Sequence, residues 1–125
     1  MAGTFEYTAG LIAGTNPSID FANSAIQVTG APFGDPKGGA ITIGNVQIFH
    51  LVAPDDSTST YSDPTLKVQY GPHEEGHTWQ YELLGPFFAP VYFLSGGISK
   101  TNPFENSADN YGRAVGGPFS AFSFY

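Results

Sequence analysis

Residues 70–85 read YGPHEEGHTWQYELLG, and this stretch decides how the rest of the chain is interpreted. Four side chains around its start recur at helical spacing: Leu66, Tyr70, His73 and His77. We expect the helix to begin at Asp63-Pro64 or, because a mid-helix proline removes a backbone hydrogen bond, at Gly71-Pro72. It should end at Gly85-Pro86, which supplies a C-terminal glycine and a residue that cannot continue a helix.

Within this helix, residues 73–77 read HEEGH and satisfy the pattern H-E-x-x-H. Helix positions i and i+4 share one face and lie about 5 to 6 Å apart, so His73 and His77 could bind one zinc ion. Glu74 could then take a proton from a zinc-bound water. The alternative is that both histidines simply face the core or the solvent.

A second helix, predicted over Pro103–Arg113, offers a third zinc ligand. It follows the N-cap residue Asn102, and Glu105 and Asp109 project from one of its faces. Glu105 could bind the metal, and Asp109 could accept the outer N–H of a motif histidine. Two alternatives stay open: Glu105 could close a capping box with Asn102, and Asp109 could pair with Arg113.

H-E-x-x-H followed on a later helix by E-x-x-x-D resembles the gluzincin zinc metallopeptidases, the clan of thermolysin. Their second motif is N-E-x-x-S-D or a variant, and here Phe104 and Ala108 replace its asparagine and serine. In that family an edge strand before the motif helix aligns the substrate, and the predicted strand Ala40 to Phe49 stands in that order. The resemblance implies that the zinc ligands are His73, His77 and Glu105. It also implies that Glu74 is the general base and that Asp109 orients one of the ligands. The longer string HEEGHTWQ with a following LGP is also similar to small bacterial proteins carrying HExGHxxQ.

The group that would stabilise the oxyanion is not evident from the sequence. The candidates are Tyr111, Arg113 and His50, and Tyr111 is the one retained as catalytic. Tyr111 could equally belong to the core or the surface, and His50 lies in a predicted strand with apolar neighbours that favour a structural role. Such a donor contributes about 2.7 to 4 kcal/mol in comparable sites.

The remaining segments are predicted mainly from alternation and turn composition. Strands are expected in Ser18–Val28 and in Ala40–Val52, followed by an exposed loop over Ala53–Asp63. The apolar run at residues 83–94, LLGPFFAPVYFL, is expected to be core or the wall of an apolar pocket. The tail at residues 116–125 alternates in a way that suggests a final extended segment.

Length and composition restrict the class of protein. The chain has 125 residues, a net charge of -7 and no cysteine. It fits one α+β domain over residues 1–125, β-rich at 1–62 and with the motif helices and the C-terminal segment at 63–125. A short twisted sheet is expected to pack on the H-E-x-x-H helix and the glutamate-bearing helix. Its acidity disfavours a nucleic-acid partner, and the longest apolar run is too short for a transmembrane span. The N-terminus does not read as an export signal, which leaves the compartment open.

These observations predict a minimal zincin-like zinc metallopeptidase that cleaves peptide or protein substrates. A second hypothesis is a non-catalytic β-rich binding or self-assembly module, a possible homo-oligomer, whose metal is structural or absent. A third keeps the zinc chemistry but applies it to an amide that is not a peptide.

Overall fold

The computed structural model of the protein describes residues 18–32 and 36–113. These form six strands, three α-helices and one 3₁₀ turn: β1 Ser18–Ala22, β2 Ala25–Thr29, β3 Gly39–Ile43, β4 Val46–His50, β5 Ser57–Ser59, β6 Lys67–Gln69, α1 Tyr70–Leu84, the 3₁₀ turn Gly85–Phe87, α2 Phe88–Leu94 and α3 Pro103–Gly112. The predicted α+β class is confirmed. The extended segment predicted at residues 116–125 lies outside the described residues.

Four strands form one sheet in the order β1-β2-β4-β3. The segments Ser18–Val28 and Ala40–Val52 were each predicted as one strand, which is wrong, because each contains a tight antiparallel hairpin. The turns need positive φ angles, which are 48° at Asn23, 57° at Ser24 and 63° at Gly44. Two-residue hairpin turns favour Asn and Gly because these residues reach that region most readily. The two hairpins join through parallel pairing of β2 with β4.

A second, two-stranded sheet pairs β5 with β6 in antiparallel register. It corrects the prediction of an exposed loop over Ala53–Asp63, since the strand Ser57–Ser59 lies within that range. The residues of β5 are all polar and small, so this segment has no alternation of apolar and polar residues that would predict a strand. Their hydrogen bonds to the strand before α1 define the ladder instead.

Helix α1 begins at Tyr70, which agrees with the later of the two predicted starts. Pro72 is the third helical residue, where a backbone N–H has no partner inside the helix, so the proline removes no helical hydrogen bond. The start at Asp63 is wrong, because its carboxylate instead accepts hydrogen bonds from Thr65 in a turn. The predicted end is confirmed by Gly85, whose φ is 54°.

Helix α3 also agrees with its predicted boundaries. It runs over Pro103–Gly112, and the side chain of Asn102 accepts a hydrogen bond from the backbone N–H of Phe104 at 2.9 Å. Proline at the first helical position adds to this cap because its φ already suits a helix.

The apolar run at residues 83–94 does not form the core, but part of it, residues 88–93, contributes to the wall of a cavity, which was the alternative prediction. Only Phe88 is buried, whereas Leu83, Phe87 and Phe93 are about 70% exposed and Leu94 is 89% exposed. The run folds as the end of α1, the 3₁₀ turn and the short helix α2, and presents most of its apolar side chains outward. No helix in the described ranges has the length and apolar character to cross a membrane.

Helices α1 and α3 pack at very short distance through small residues. A Cβ added to Gly76 would lie 2.8 Å from the Cα of Ala108 and 3.1 Å from its Cβ. Any larger residue at position 76 would therefore push α3 away from α1. The opposite side of α1 faces the sheet, where Thr78 accepts a hydrogen bond from Gln47 at 3.0 Å.

We predict that Gly76→Ala destabilises the fold. Alanine favours a helix over glycine by about 1 kcal/mol, but overpacking against a backbone atom should outweigh this and leave a net loss of roughly 1 to 3 kcal/mol. Urea unfolding with a chelator present measures the difference without a metal contribution. Gly39→Ala is the control, because its added Cβ meets no atom within 4 Å. Equal stability of Gly76→Ala and wild type would contradict the close contact.

Candidate metal centre

The three residues predicted as zinc ligands lie together in the buried space between α1 and α3. The Nε2 atoms of His73 and His77 are each 3.2 Å from Oε2 of Glu105. The potential ligand atoms of all three residues lie within 4.8 Å of one another. Because Glu105 follows the motif by about thirty residues, only the packing of α3 on α1 brings it to the histidines.

Each histidine is oriented through its other ring nitrogen. Nδ1 of His73 donates to Oδ1 of Asp109 at 2.9 Å, and Nδ1 of His77 donates to Oε1 of Gln80 at 2.8 Å. An amide or carboxylate oxygen only accepts, so each Nδ1 carries a proton and each Nε2 faces the cluster. Asp109 thus occupies the position predicted for it, and its second oxygen accepts the backbone N–H of Tyr61 at 2.6 Å.

Gln80 is a site residue that the sequence interpretation missed. Its side chain is fully buried, and its Nε2 donates to the carbonyl of Phe104 at 3.0 Å, which ties α1 to the first turn of α3. The signal was present in the pattern HExGHxxQ, because a residue three positions after His77 lies on the same helix face. The sequence alone suggests no role for that glutamine, because it does not show that Gln80 is the partner of Nδ1 of His77.

Glu105 does not close a capping box. The backbone N–H of Asn102 donates to the carbonyl of Ser99 at 3.1 Å, and the carboxylate of Glu105 faces the histidines. Its second oxygen, Oε1, accepts a hydrogen bond from the hydroxyl of Tyr92. Both oxygens of the Glu105 carboxylate therefore have partners: Oε2 faces the histidines and Oε1 binds Tyr92.

Glu74 lines a cavity beside the cluster and is hydrogen-bonded to the sheet. The hydroxyl of Thr42 on β3 donates to Oε2 of Glu74 at 2.5 Å, and it also lies 3.1 Å from the backbone carbonyl of Glu74. Both side chains are buried. This contact fixes the position of Oε2 of Glu74. Because the carboxylate group is planar and rigid, it also restricts the direction in which Oε1 lies.

The charges of the cluster compensate one another. Burial opposes protonation of His73, but hydrogen bonds to Asp109 and Glu105 outweigh it and raise the pKa of His73 to about 10. Burial would raise the pKa of Glu105, but hydrogen bonds from His73 and His77 hold it well below its usual range. The carboxylate is thus ionised, and a positive charge beside it is favoured.

The donor set fits a metal ion. With both Nδ1 protons directed outward, the two Nε2 atoms and a carboxylate oxygen converge on one point, where a metal ion would displace the protons that Nε2 shares with Glu105. A cation satisfies all three at once, and imidazole nitrogen with carboxylate oxygen is a common ligand set for Zn²⁺. The residues present therefore fit zinc.

The structure does not bring the three candidate oxyanion donors to this cavity. The hydroxyl of Tyr111 accepts a hydrogen bond from Nε1 of Trp79 at 3.0 Å, His50 bonds the carbonyl of Ala31 at 2.6 Å, and Arg113 caps the end of α3. Tyr111 follows Glu105 by six residues, which is a rotation of about 120° around a helix with 3.6 residues per turn. The assignment of Tyr111 as catalytic is therefore corrected.

The cavity beside the cluster measures about 140 Å³ and has mostly apolar and aromatic walls. Its lining comes from β3, the three helices and two connecting segments: Ala40, Ile41, Thr42, Tyr61, His73, Glu74, His77, Tyr81, Phe88, Ala89, Tyr92, Phe93, Ile98 and Glu105. Tyr61 was missed because it lies in a segment predicted as an exposed loop. Burial, and then the negative charge of Glu105, raise the pKa of Tyr61, so its hydroxyl stays protonated at neutral pH.

No protein-family model, curated protein or solved structure matches the chain. The functional interpretation therefore rests on this geometry. It combines three potential metal-ligand atoms, an adjacent carboxylate that accepts a hydrogen bond from a hydroxyl, and a cavity beside them.

We predict that Gln80→Leu lowers the affinity for Zn²⁺ by about 10- to 100-fold, because loss of an orienting contact has that effect in comparable sites. Competition with a chromophoric chelator measures the change. The matched control is Gln69→Leu, whose exposed amide donates to the carbonyl of Asp55 rather than to a cluster residue. If both variants bind zinc as wild type does, the contact with Nδ1 of His77 does not orient the imidazole.

Proposed function

We propose that this protein is a small zinc-dependent hydrolase, a zincin-like peptidase that cleaves peptide bonds. The observation that carries the proposal is the convergence of two Nδ1-anchored imidazoles and the carboxylate of Glu105 beside a separately held glutamate. The H-E-x-x-H spacing supports the same chemistry, since it separates two ligands from one base on a single helix. The proposal includes the gluzincin-like assignment of Glu105 as the third ligand.

In this proposal each residue has a defined task. His73, His77 and Glu105 hold the metal, and Asp109 and Gln80 keep the two imidazoles in the correct tautomer. Zinc, when bound, supplies a Lewis acid that lowers the pKa of water and polarises a carbonyl oxygen. Glu74 accepts the proton of the attacking water and delivers it to the leaving amine.

The position of β3 supports an extended substrate. This strand lies at one end of the sheet order, and its residues Ala40, Ile41 and Thr42 line the cavity. An extended peptide could add to such an edge through main-chain hydrogen bonds. Because Thr42 also holds Glu74, the substrate backbone and the general base would be positioned by the same strand.

The first test joins metal content to activity. Purified wild type should contain about one zinc per chain by elemental mass spectrometry, and His77→Ala and Glu105→Ala should lose it. Glu74→Gln should keep the zinc but lose about 10²- to 10⁴-fold in peptide hydrolysis, the usual contribution of a general base. Glu75→Gln is the control, because Glu75 accepts a hydrogen bond from Ser24 and does not line the cavity.

Two outcomes would contradict the proposal. Wild type that takes up no zinc after reconstitution would overturn the metal site. Unchanged hydrolysis in Glu74→Gln would remove the general base and, with it, the H-E-x-x-H mechanism. A screen of peptides and of other amides distinguishes a peptidase from an amidase with the same machinery.

Tyr61 is proposed as the donor to the carbonyl oxygen that develops negative charge. Its ring centroid lies 5.9 Å from that of His73, and it lines the cavity. We predict that Tyr61→Phe lowers kcat by about 10²- to 10³-fold, as removal of one oxyanion donor does, and leaves the zinc content unchanged. Tyr111→Phe should leave kcat as in wild type. A large loss in Tyr111→Phe together with none in Tyr61→Phe would reverse this assignment.

The second candidate function, an assembly module, is favoured by the outward-facing apolar side chains. Phe21, Phe87, Phe93, Leu94 and Ile98 are all at least 70% exposed. Such surfaces commonly contact another protein or a second copy of the chain. This function predicts properties that do not depend on Glu74, so the Glu74→Gln variant separates it from the hydrolase.

A further inference from the structure

The two oxygens of the Glu105 carboxylate have different partners. Oε2 lies 3.2 Å from Nε2 of both His73 and His77. Oε1 accepts a hydrogen bond from the hydroxyl of Tyr92, which comes from α2. The side chain of Glu105 is 3% exposed, so water does not compete freely for either oxygen.

The hydroxyl of Tyr92 is placed by contacts on its backbone and its ring. The side-chain amide of Asn102 donates to the backbone carbonyl of Tyr92 at 3.1 Å. The ring packs edge-on against His77 at a centroid distance of 5.9 Å, and it also contacts Phe88 and Phe104 at 5.5 and 6.4 Å. The donor is therefore held at Oε1 before any ligand arrives.

This arrangement affects how a carboxylate can bind a metal. A free carboxylate can coordinate through one oxygen or chelate through both, and chelation would add a ligand atom to a site that already has two imidazoles. Catalytic zinc sites keep three protein ligand atoms and an open fourth position. A hydrogen bond to one oxygen disfavours chelation, because that bond would have to be given up in a buried place.

We propose that Tyr92 is a positioning residue that restricts Glu105 to coordination through Oε2 and so keeps the fourth position of the metal open. This inference rests on the proposed metal site and adds to it a residue that no part of the H-E-x-x-H or E-x-x-x-D pattern contains.

The test uses Co²⁺ in place of zinc, because its visible absorption bands are intense in four-coordinate sites and weaken when a fifth ligand atom binds. We expect wild type to show the intense bands and Tyr92→Phe to show weakened, shifted bands. Tyr81→Phe is the matched control: its ring lines the same cavity and packs on Phe88 at 4.2 Å, and its spectrum should equal that of wild type.

A second measurement uses wild type alone and needs no variant to fold. The splitting between the two carboxylate stretches of ¹³C-labelled glutamate is wider when one oxygen binds a metal than when both do, and infrared difference spectra should show the wide splitting. A narrow splitting, or identical cobalt spectra for Tyr92→Phe and wild type, overturns the role of Tyr92 and leaves the hydrolase proposal intact. Wild type that binds neither Co²⁺ nor Zn²⁺ overturns both.

Discussion

The carboxylate of Glu105, buried against two imidazoles, is the interaction on which the arrangement of the helices depends. A buried charge is strongly unfavourable without a partner, and removing one member of such a pair costs about 3 to 5 kcal/mol. All three side chains of the cluster, His73, His77 and Glu105, are buried. If one of them moved away, the others would lose a hydrogen-bonding partner where water cannot replace it. The relative position of α1 and α3 is therefore fixed by electrostatics as much as by apolar contact, and Asp109 and Gln80 extend the same constraint outward.

The sheet contributes by holding α1 through hydrogen bonds between polar side chains. Gln27 donates to Gln47 at 2.9 Å, Gln47 donates to Thr78, and Thr42 donates to Glu74. In a low-dielectric interior such bonds are directional and an unmatched group is unfavourable, so a satisfied network specifies one orientation. The apolar cluster of the sheet, Val28, Ala31, Val46 and Ile48, supplies burial, while the polar contacts decide where the glutamate of the motif lies.

The parts of the fold that a sequence predicts well are those with a period or a cap. The end of α1 at Gly85 and the start of α3 at Asn102 were both predictable, as was the sharing of one helix face by His73 and His77. The hairpins were not, because the turn at Asn23 interrupts an alternation that continues on either side of it. Tyr92 was predictable only as part of a pocket wall, whereas the site position of Tyr61 and the contact of the Tyr92 hydroxyl with Glu105 were not predictable, since long-range packing alone creates them.

In the pentapeptide HEEGH, some residues are suited to chemistry and another is required by helix packing. In the proposed hydrolase, metal binding uses the imidazoles of His73 and His77, four residues apart, and hydrolysis uses the base Glu74 beside them. Neither requirement concerns position 76, yet a side chain there would meet the backbone of Ala108 at 2.8 Å. Glycine at that position lets α3 approach closely enough for Glu105 to reach the histidines. The position of Glu105 beside the histidines therefore depends on two residues, on Glu105 itself and on Gly76, which allows the close approach of the helices.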